Sequence, residues 1–416
     1  MRWAAVLPRG RLGYGSGQRH RADEVRAGVT VQRRHVIYVP GYDPRGIAHY
    51  YRSFRQELGR FRDLHGLKAV VSRPEGGAGE ISARWLVTTA GPDWQVKTTY
   101  ELLRWDDVVR ADAGRPIWRK IALGWLMLVR FMLNGTLLRL GRAHWRFAGF
   151  FVYPYLTLLA LVLASGLCGS LVAALAGWLG VPGVMAGLLG VGVGVAALVA
   201  LLRVTEAYTY LLYLFDDGIS TDAFARGMRP DWSARLALFA GQVIAACRSG
   251  ADEVVIVGHS SGSFMAVDVM AQALARDPAL GRHGPAVSLV TLGANLPLLG
   301  FNPGAGWFVE RLRLVVSEAS LAWLDVQSRK DVMSFFRFDQ AKGHGIAVAA
   351  PNLTTVSISF RDMLRPENYN RFRWRFFRVH FQYLMANERK AAWDFYMLIC
   401  GPSSLAQEIA RLTRRG

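Results

Sequence analysis

The sequence predicts an α/β domain with a mainly parallel sheet, interrupted by a two-helix transmembrane hairpin. Two observations carry this. Short β-branched runs alternate with helix-like segments on both sides of the middle of the chain, the order that builds a parallel sheet. Between them, Phe147 to Leu202 is a run of 56 residues without one Asp, Glu, Lys or Arg. The 416 residues, 52% apolar, can bury a core and exclude a disordered or fibrous chain.

Residues 1–34 are basic and glycine-rich and read as a loose tail. Their six-residue apolar patch, Trp3 to Pro8, is too short for the core of a secretory signal. His35 to Val39 is a β-branched run closed by Pro40-Gly41, hence a buried strand ending in a tight loop. A helix pattern runs from about Ile47 to Asp63, and Ala69-Val70-Val71 is strand-like. Ala83–Ala90 and Gln95–Leu103 flank Gly91-Pro92-Asp93, which reads as a β-hairpin. Residues 35–112 are thus the first part of the α/β domain.

From 113 to 147, Arg119, Lys120, Arg130, Arg139, Arg142 and Arg146 interleave with tryptophans and leucines. This pattern predicts a basic amphipathic helix lying on an anionic bilayer face. The charge-free run follows. At about 1.5 Å per residue it would extend about 84 Å, whereas one bilayer core needs about 30 Å. Two crossings are therefore expected, near 148–176 and 184–202, within a hairpin over 148–202 that turns at Trp178 to Gly183. The second span carries Gly183, Gly187, Gly190, Gly192 and Gly194, small residues that let membrane helices approach. Lys and Arg number 26 before the run and 24 after it, with none in the turn. Both termini are then cytoplasmic, with a bacterial inner membrane the expected location.

The net charge is 50 − 31 = +19, which usually marks an anionic partner. The basic residues gather around the spans and no nucleic-acid recognition motif appears, so the expected partner is the bilayer and not a nucleic acid. Three widely spaced cysteines exclude a disulfide framework and a zinc module. No metal or cofactor is expected.

In the second part, 203–416, Trp232–Cys247 is a helix pattern and Glu253–Val257 an apolar strand. Residues 263–275 are helical in character, and Val287–Leu292 and Leu321–Val326 are strand-like. The strand at Glu253 leads directly into Gly258-His259-Ser260-Ser261-Gly262. A G-x-S-x-G pentapeptide is short enough to arise by chance. Between a buried strand and a helix, however, it exposes its serine on a sharp turn, the geometry of a nucleophile.

Here the chain resembles the α/β-hydrolase superfamily, particularly its lipase-like and esterase-like members. Val36 to Tyr42 is similar to the strand and loop that supply half the oxyanion hole, with Pro40 where His is commoner. Val290 to Asn295 is similar to the strand and turn after the elbow helix, Leu324 to Val332 to the strand and loop that hold the acid, and Arg378 to Tyr383 to the late loop with the histidine. The resemblance implies Ser260 as nucleophile, Asp331 as acid and His380 as base, in the superfamily's chain order. It also implies the backbone N–H groups of Ser261 and Tyr42 as oxyanion donors. Asp325 and His344 are the alternatives for acid and base, and His259 is expected only to pack. For the site to form, the strands at 35–39 and 253–257 must lie side by side. Everything between them then begins and ends on one side of the membrane. The implied activity is hydrolysis of an ester or thioester of a lipid-like acyl substrate. Acyl transfer to an alcohol, or a non-catalytic lipid-binding role, are the alternatives.

Overall fold

The computed structural model describes residues 30–77 and 79–414. Most of the expected tail, 1–29, lies outside the described residues. Its last two positions do not belong to a tail, because Arg33 and Arg34 open the first strand and Arg34 is buried against Glu253 at 2.8 Å.

Eight strands form one sheet: β1 Arg33–Val39, β2 Lys68–Val71, β3 Ser82–Ala90, β4 Gln95–Leu103, β5 Glu253–His259, β6 Ala286–Leu292, β7 Leu321–Gln327 and β8 Leu353–Ser357. Their order is β2-β3-β4-β1-β5-β6-β7-β8, and only β3 runs against the rest. β1 and β5 pair directly, His35 beside Val254 and Val39 beside Gly258, although the whole hairpin separates them in sequence. Alternation along these two strands serves two cores. Ile37, Val39, Val254 and Ile256 face one, Val36, Tyr38, Val255 and Val257 the other. A sheet buried on both faces explains why both strands read as continuous apolar runs.

The helices that matter for the site are α1 Ile47–His65, α2 Asp106–Ala113, α3 Ile117–Leu133, α4 Thr136–Ala143, α5 Trp145–Trp178, α6 Gly183–Thr209, α7 Leu211–Ala225, α8 Pro230–Cys247 and α9 Ser261–Arg276. Two of them, α5 with 34 residues and α6 with 27, are long and apolar enough to cross a membrane. They pack so closely that a Cβ at Gly190 would lie 2.6 Å from the Gly169 carbonyl oxygen, so only glycine fits this crossing. Both helices exceed the expected spans because their inner ends continue into a third core. There Phe147, Phe151, Tyr155 and Leu202 meet Met127, Phe131 and Phe215.

The single basic helix expected over 113–147 is instead α3, α4 and the first residues of α5. α3 and α4 are bent by 76° where Gly135 takes a left-handed conformation at φ 74°. Its polarity also differs in part from that expected, for three of the six cations turn inward while Arg119 and Arg142 stay exposed. Lys120 turns inward to Asp216 at 2.5 Å, Arg130 to Asp222 at 2.9 Å, and Arg139 to the Phe301 carbonyl at 2.9 Å. Trp118, Leu126, Met132 and Leu133 face outward. The carboxylates of α7, too remote in sequence for periodicity to reveal, take up Lys120 and Arg130.

Candidate active site

β5 is buried along its whole length and stops at Ser260, which has φ 57° and ψ −129° before α9 begins at Ser261. A non-glycine residue held at positive φ costs on the order of 1–3 kcal/mol and persists only where its surroundings enforce it. Two backbone hydrogen bonds do so here: Ser260 N–H donates to Leu292 O at 3.1 Å, and Ser263 N–H donates to Ser260 O at 2.9 Å. A Cβ at Gly262 would lie 2.6 Å from Pro40 O, so the β1 loop can close over the turn only with glycine there.

That loop brings Gly41 and Tyr42 against Ser260; a Cβ at Gly41 would be 3.0 Å from the Ser260 Cβ. Tyr42 is anchored by its hydroxyl, which donates to Asp112 at 3.1 Å, and by its carbonyl, which accepts from Tyr213. Ser261 is the first residue of α9, so its N–H has no carbonyl within the helix to donate to. Both residues named as oxyanion donors therefore adjoin Ser260.

His380 ends the short helix Phe376–His380, and Asp331 lies four residues beyond β7. Their side chains meet, both buried, with His380 Nδ1 2.8 Å from Asp331 Oδ2. Nδ1 is the donor to the carboxylate, which leaves Nε2 free to accept a proton. Burial works against the Asp331 charge, but His380 and the Met333 N–H hold its carboxyl below the usual range. His259 supports the pair from below. Its Nε2 donates to the His380 carbonyl at 3.0 Å, and burial lowers its pKa to about 3, so it stays neutral and packs as expected. His380 Nε2 itself has no hydrogen-bond partner among the described residues, and the Ser260 hydroxyl and His380 line one cavity. The alternatives lie elsewhere. Asp325 is buried in β7 against Thr291, Gln327 and Gln340, and His344 Nδ1 donates to Gln340 O.

Two groups in the site were not named from sequence. The Asn295 side-chain amide lies 3.4 Å from Ser260 Oγ; oriented to donate to Met333 O at 2.7 Å, it turns its oxygen toward that hydroxyl. Asp217, on α7, accepts from the Ser261 hydroxyl at 3.2 Å and opens onto the same cavity. Burial pushes its carboxyl up to about 7, against the Ser261 hydrogen bond and the nearby His380. The signal for it was slight: adjacent acids in an otherwise apolar helix, just beyond a stretch free of acids.

The cavity measures about 50 Å³, room for a few waters. Its apolar wall comes largely from the base of α5, with Phe147, Phe150, Phe151, Pro154 and Tyr155. Among the described residues no group of three or more His, Cys, Asp or Glu is arranged to hold a metal ion. Set against protein-family models, curated proteins and solved structures, the chain matches none.

Proposed function

We propose that the chain is a membrane-anchored serine hydrolase of α/β-hydrolase type that cleaves an ester or thioester of a lipid-like acyl substrate. One observation carries the reading. A serine strained at a strand–helix turn shares a cavity with the open Nε2 of a histidine whose Nδ1 is held by a buried carboxylate. In this mechanism Nε2 of His380 takes the Ser260 proton as Oγ attacks the acyl carbon. Asp331 keeps the ring in the right tautomer and stabilises the imidazolium. The N–H groups of Ser261 and Tyr42 donate to the oxyanion. Collapse returns the proton from His380 to the leaving alcohol or thiol, and water then releases the acid from Ser260 by the same steps.

Support for an acyl-lipid substrate comes from the base of α5, which is both the root of an apolar spanning helix and the wall of the cavity. A chain held in the bilayer would approach Ser260 along that helix, and the phenylalanines must swing aside to admit it. The outward apolar face of α3 suits contact with the bilayer interface, and Arg119 and Arg142 are exposed or half-exposed beside it, where an anionic leaflet would attract them. The charge distribution about the spans favours a cytoplasmic catalytic domain. The test is labelling by a fluorophosphonate probe together with turnover of a simple ester. Ser260→Ala should abolish labelling and lower turnover by about 10⁴-fold or more. Labelling that persists in the variant refutes the assignment.

A further inference from the structure

We propose that Asp217 is a specificity-determining anchor for a cationic group on the substrate, so that the preferred esters carry an ammonium on the alcohol side. The proposal rests on the hydrolase reading for its reaction and on the cavity for its charge preference.

The chain carries a net charge of +19, yet among the described residues no Lys or Arg lines the Ser260 cavity. Its ionisable acids and bases, tyrosines aside, are Asp43, Asp217, His259 and His380. Asp43 is compensated by Arg45 at 2.6 Å and by the Tyr50 hydroxyl at 2.7 Å. Asp217 is not. Facing it are the Ser261 and Thr221 hydroxyls, the phenols of Tyr42 and Tyr213, and His380, with no Lys or Arg among them. Its neighbour Asp216 is taken up by Lys120 and Arg115. An enclosed carboxylate without a cation is costly, and only a proton or an incoming cation relieves that cost. It accepts from the hydroxyl of Ser261, the residue after the proposed nucleophile, and shares the cavity lining with the aromatic rings of Tyr213 and Phe377, to which an ammonium group is attracted. A substrate bearing a carboxylate or phosphate there would meet an uncompensated negative charge. The neutral form of Asp217, favoured by burial below about pH 7, should lose the preference for a cation. The ionised form above that pH should show it in full.

The experiment compares butyrylcholine with its uncharged carbon isostere, 3,3-dimethylbutyl butyrate, on the full chain in detergent. The readout is the ratio of the two kcat/KM values. At about pH 8 the wild type should favour the cationic ester by about tenfold or more, the scale of one hydrogen-bonded or ion-paired charge. The ratio should shrink at about pH 6. Asp217→Asn should bring it near one at both pH values, and Asp217→Glu should restore part of it. A ratio that is the same in wild type and Asp217→Asn overturns the proposal, as does a wild-type preference for the isostere. Binding of butyrylcholine to Ser260→Ala separates this inference from the hydrolase reading. If no ester is turned over but butyrylcholine binds and Asp217→Asn abolishes binding, the hydrolase reading falls and the anchor stands. If neutral esters are cleaved at Ser260 while butyrylcholine neither binds nor is favoured, the anchor alone falls.

Discussion

Asp217→Asn should stabilise the protein at and above neutral pH and leave it little changed near pH 4. The carboxyl is moved from 3.8 to about 7 by burial, a rise of about 3 pK units. At about 1.4 kcal/mol per unit, the ionised form costs the fold about 4 kcal/mol. The side chain is partly open to the cavity, where water screens it, so about 2–4 kcal/mol is the expected range. The sign follows from proton counting. Below the unfolded value of 3.8 both states are protonated and Asp217 contributes nothing. Between 3.8 and about 7 the folded chain holds one proton more than the unfolded chain, so stability falls by about 1.4 kcal/mol per pH unit. Above about 7 both states are ionised and the full cost remains.

Asparagine keeps the shape and the hydrogen bond from Ser261 while removing the titration. Groups remote from this position titrate alike in the two proteins, so the difference between their stabilities isolates Asp217 together with the few groups its charge acts on. Thermal midpoints in detergent, taken from about pH 4 to about pH 8.5, should separate progressively in favour of the variant and stop separating above about pH 7. A difference that does not change with pH would refute the reasoning. It would mean that Asp217 is as well compensated as Asp43, and the cationic anchor would lose its physical basis as well.

Two further outcomes follow from the geometry. Asp331→Asn should lower kcat by about 10³–10⁴-fold with the fold intact, because an amide at this place favours the wrong tautomer of His380; the measurement is ester turnover beside the thermal midpoint, and turnover within tenfold of wild type would remove Asp331 from the mechanism. Asp222→Asn should destabilise the protein by about 3 kcal/mol, since it strands Arg130 and Arg226 and weakens the Asn302 contact. It should depress turnover of soluble esters and vesicle-borne lipid equally. Loss confined to anionic vesicles, at an unchanged midpoint, would return Arg130 to the bilayer surface.

Much of the sheet was legible because β1, β5, β6 and β7 are buried on both faces and read as apolar runs, while β3 and the first half of β4 alternate buried and exposed residues on either side of a turn. The runs at 35–39, 83–90, 95–103, 253–257, 287–292 and 321–326 match β1 and β3 to β7 to within two residues. The exception is β8, Leu353-Thr354-Thr355-Val356-Ser357, an edge strand whose half-exposed polar residues resemble a loop. Ser260 stood out as the serine between an apolar strand and a helix, which are β5 and α9, whereas Asp331 and His380 were named through the resemblance to α/β-hydrolases, and their side chains lie 2.8 Å apart. The inward turn of Lys120 and Arg130 was not legible, because an amphipathic pattern shows two faces without showing which one meets protein. That choice was made by Asp216 and Asp222, about a hundred residues downstream.

The same α7 acids join the long apolar helices to the site. α7 begins directly after the second long apolar helix, and within seven residues it presents Asp216 to Lys120 and Arg115, Asp217 to Ser261, and Asp222 to Arg130. Asp216 and Asp222 fasten the segment that leads into the first long apolar helix, α5, while Asp217 touches the residue beside Ser260. Tyr213, on the same helix, holds the Tyr42 carbonyl. A rotation of α7 by a fraction of a turn would therefore act on both sides of Ser260 at once. The base of α5 packs against α7 through Tyr155 and Phe215, 4.9 Å between ring centroids, so α5 cannot shift without pressing on this helix. The hairpin is accordingly part of the wall that shapes the cavity, and replacing it by an unrelated anchor should impair turnover of even a small soluble ester.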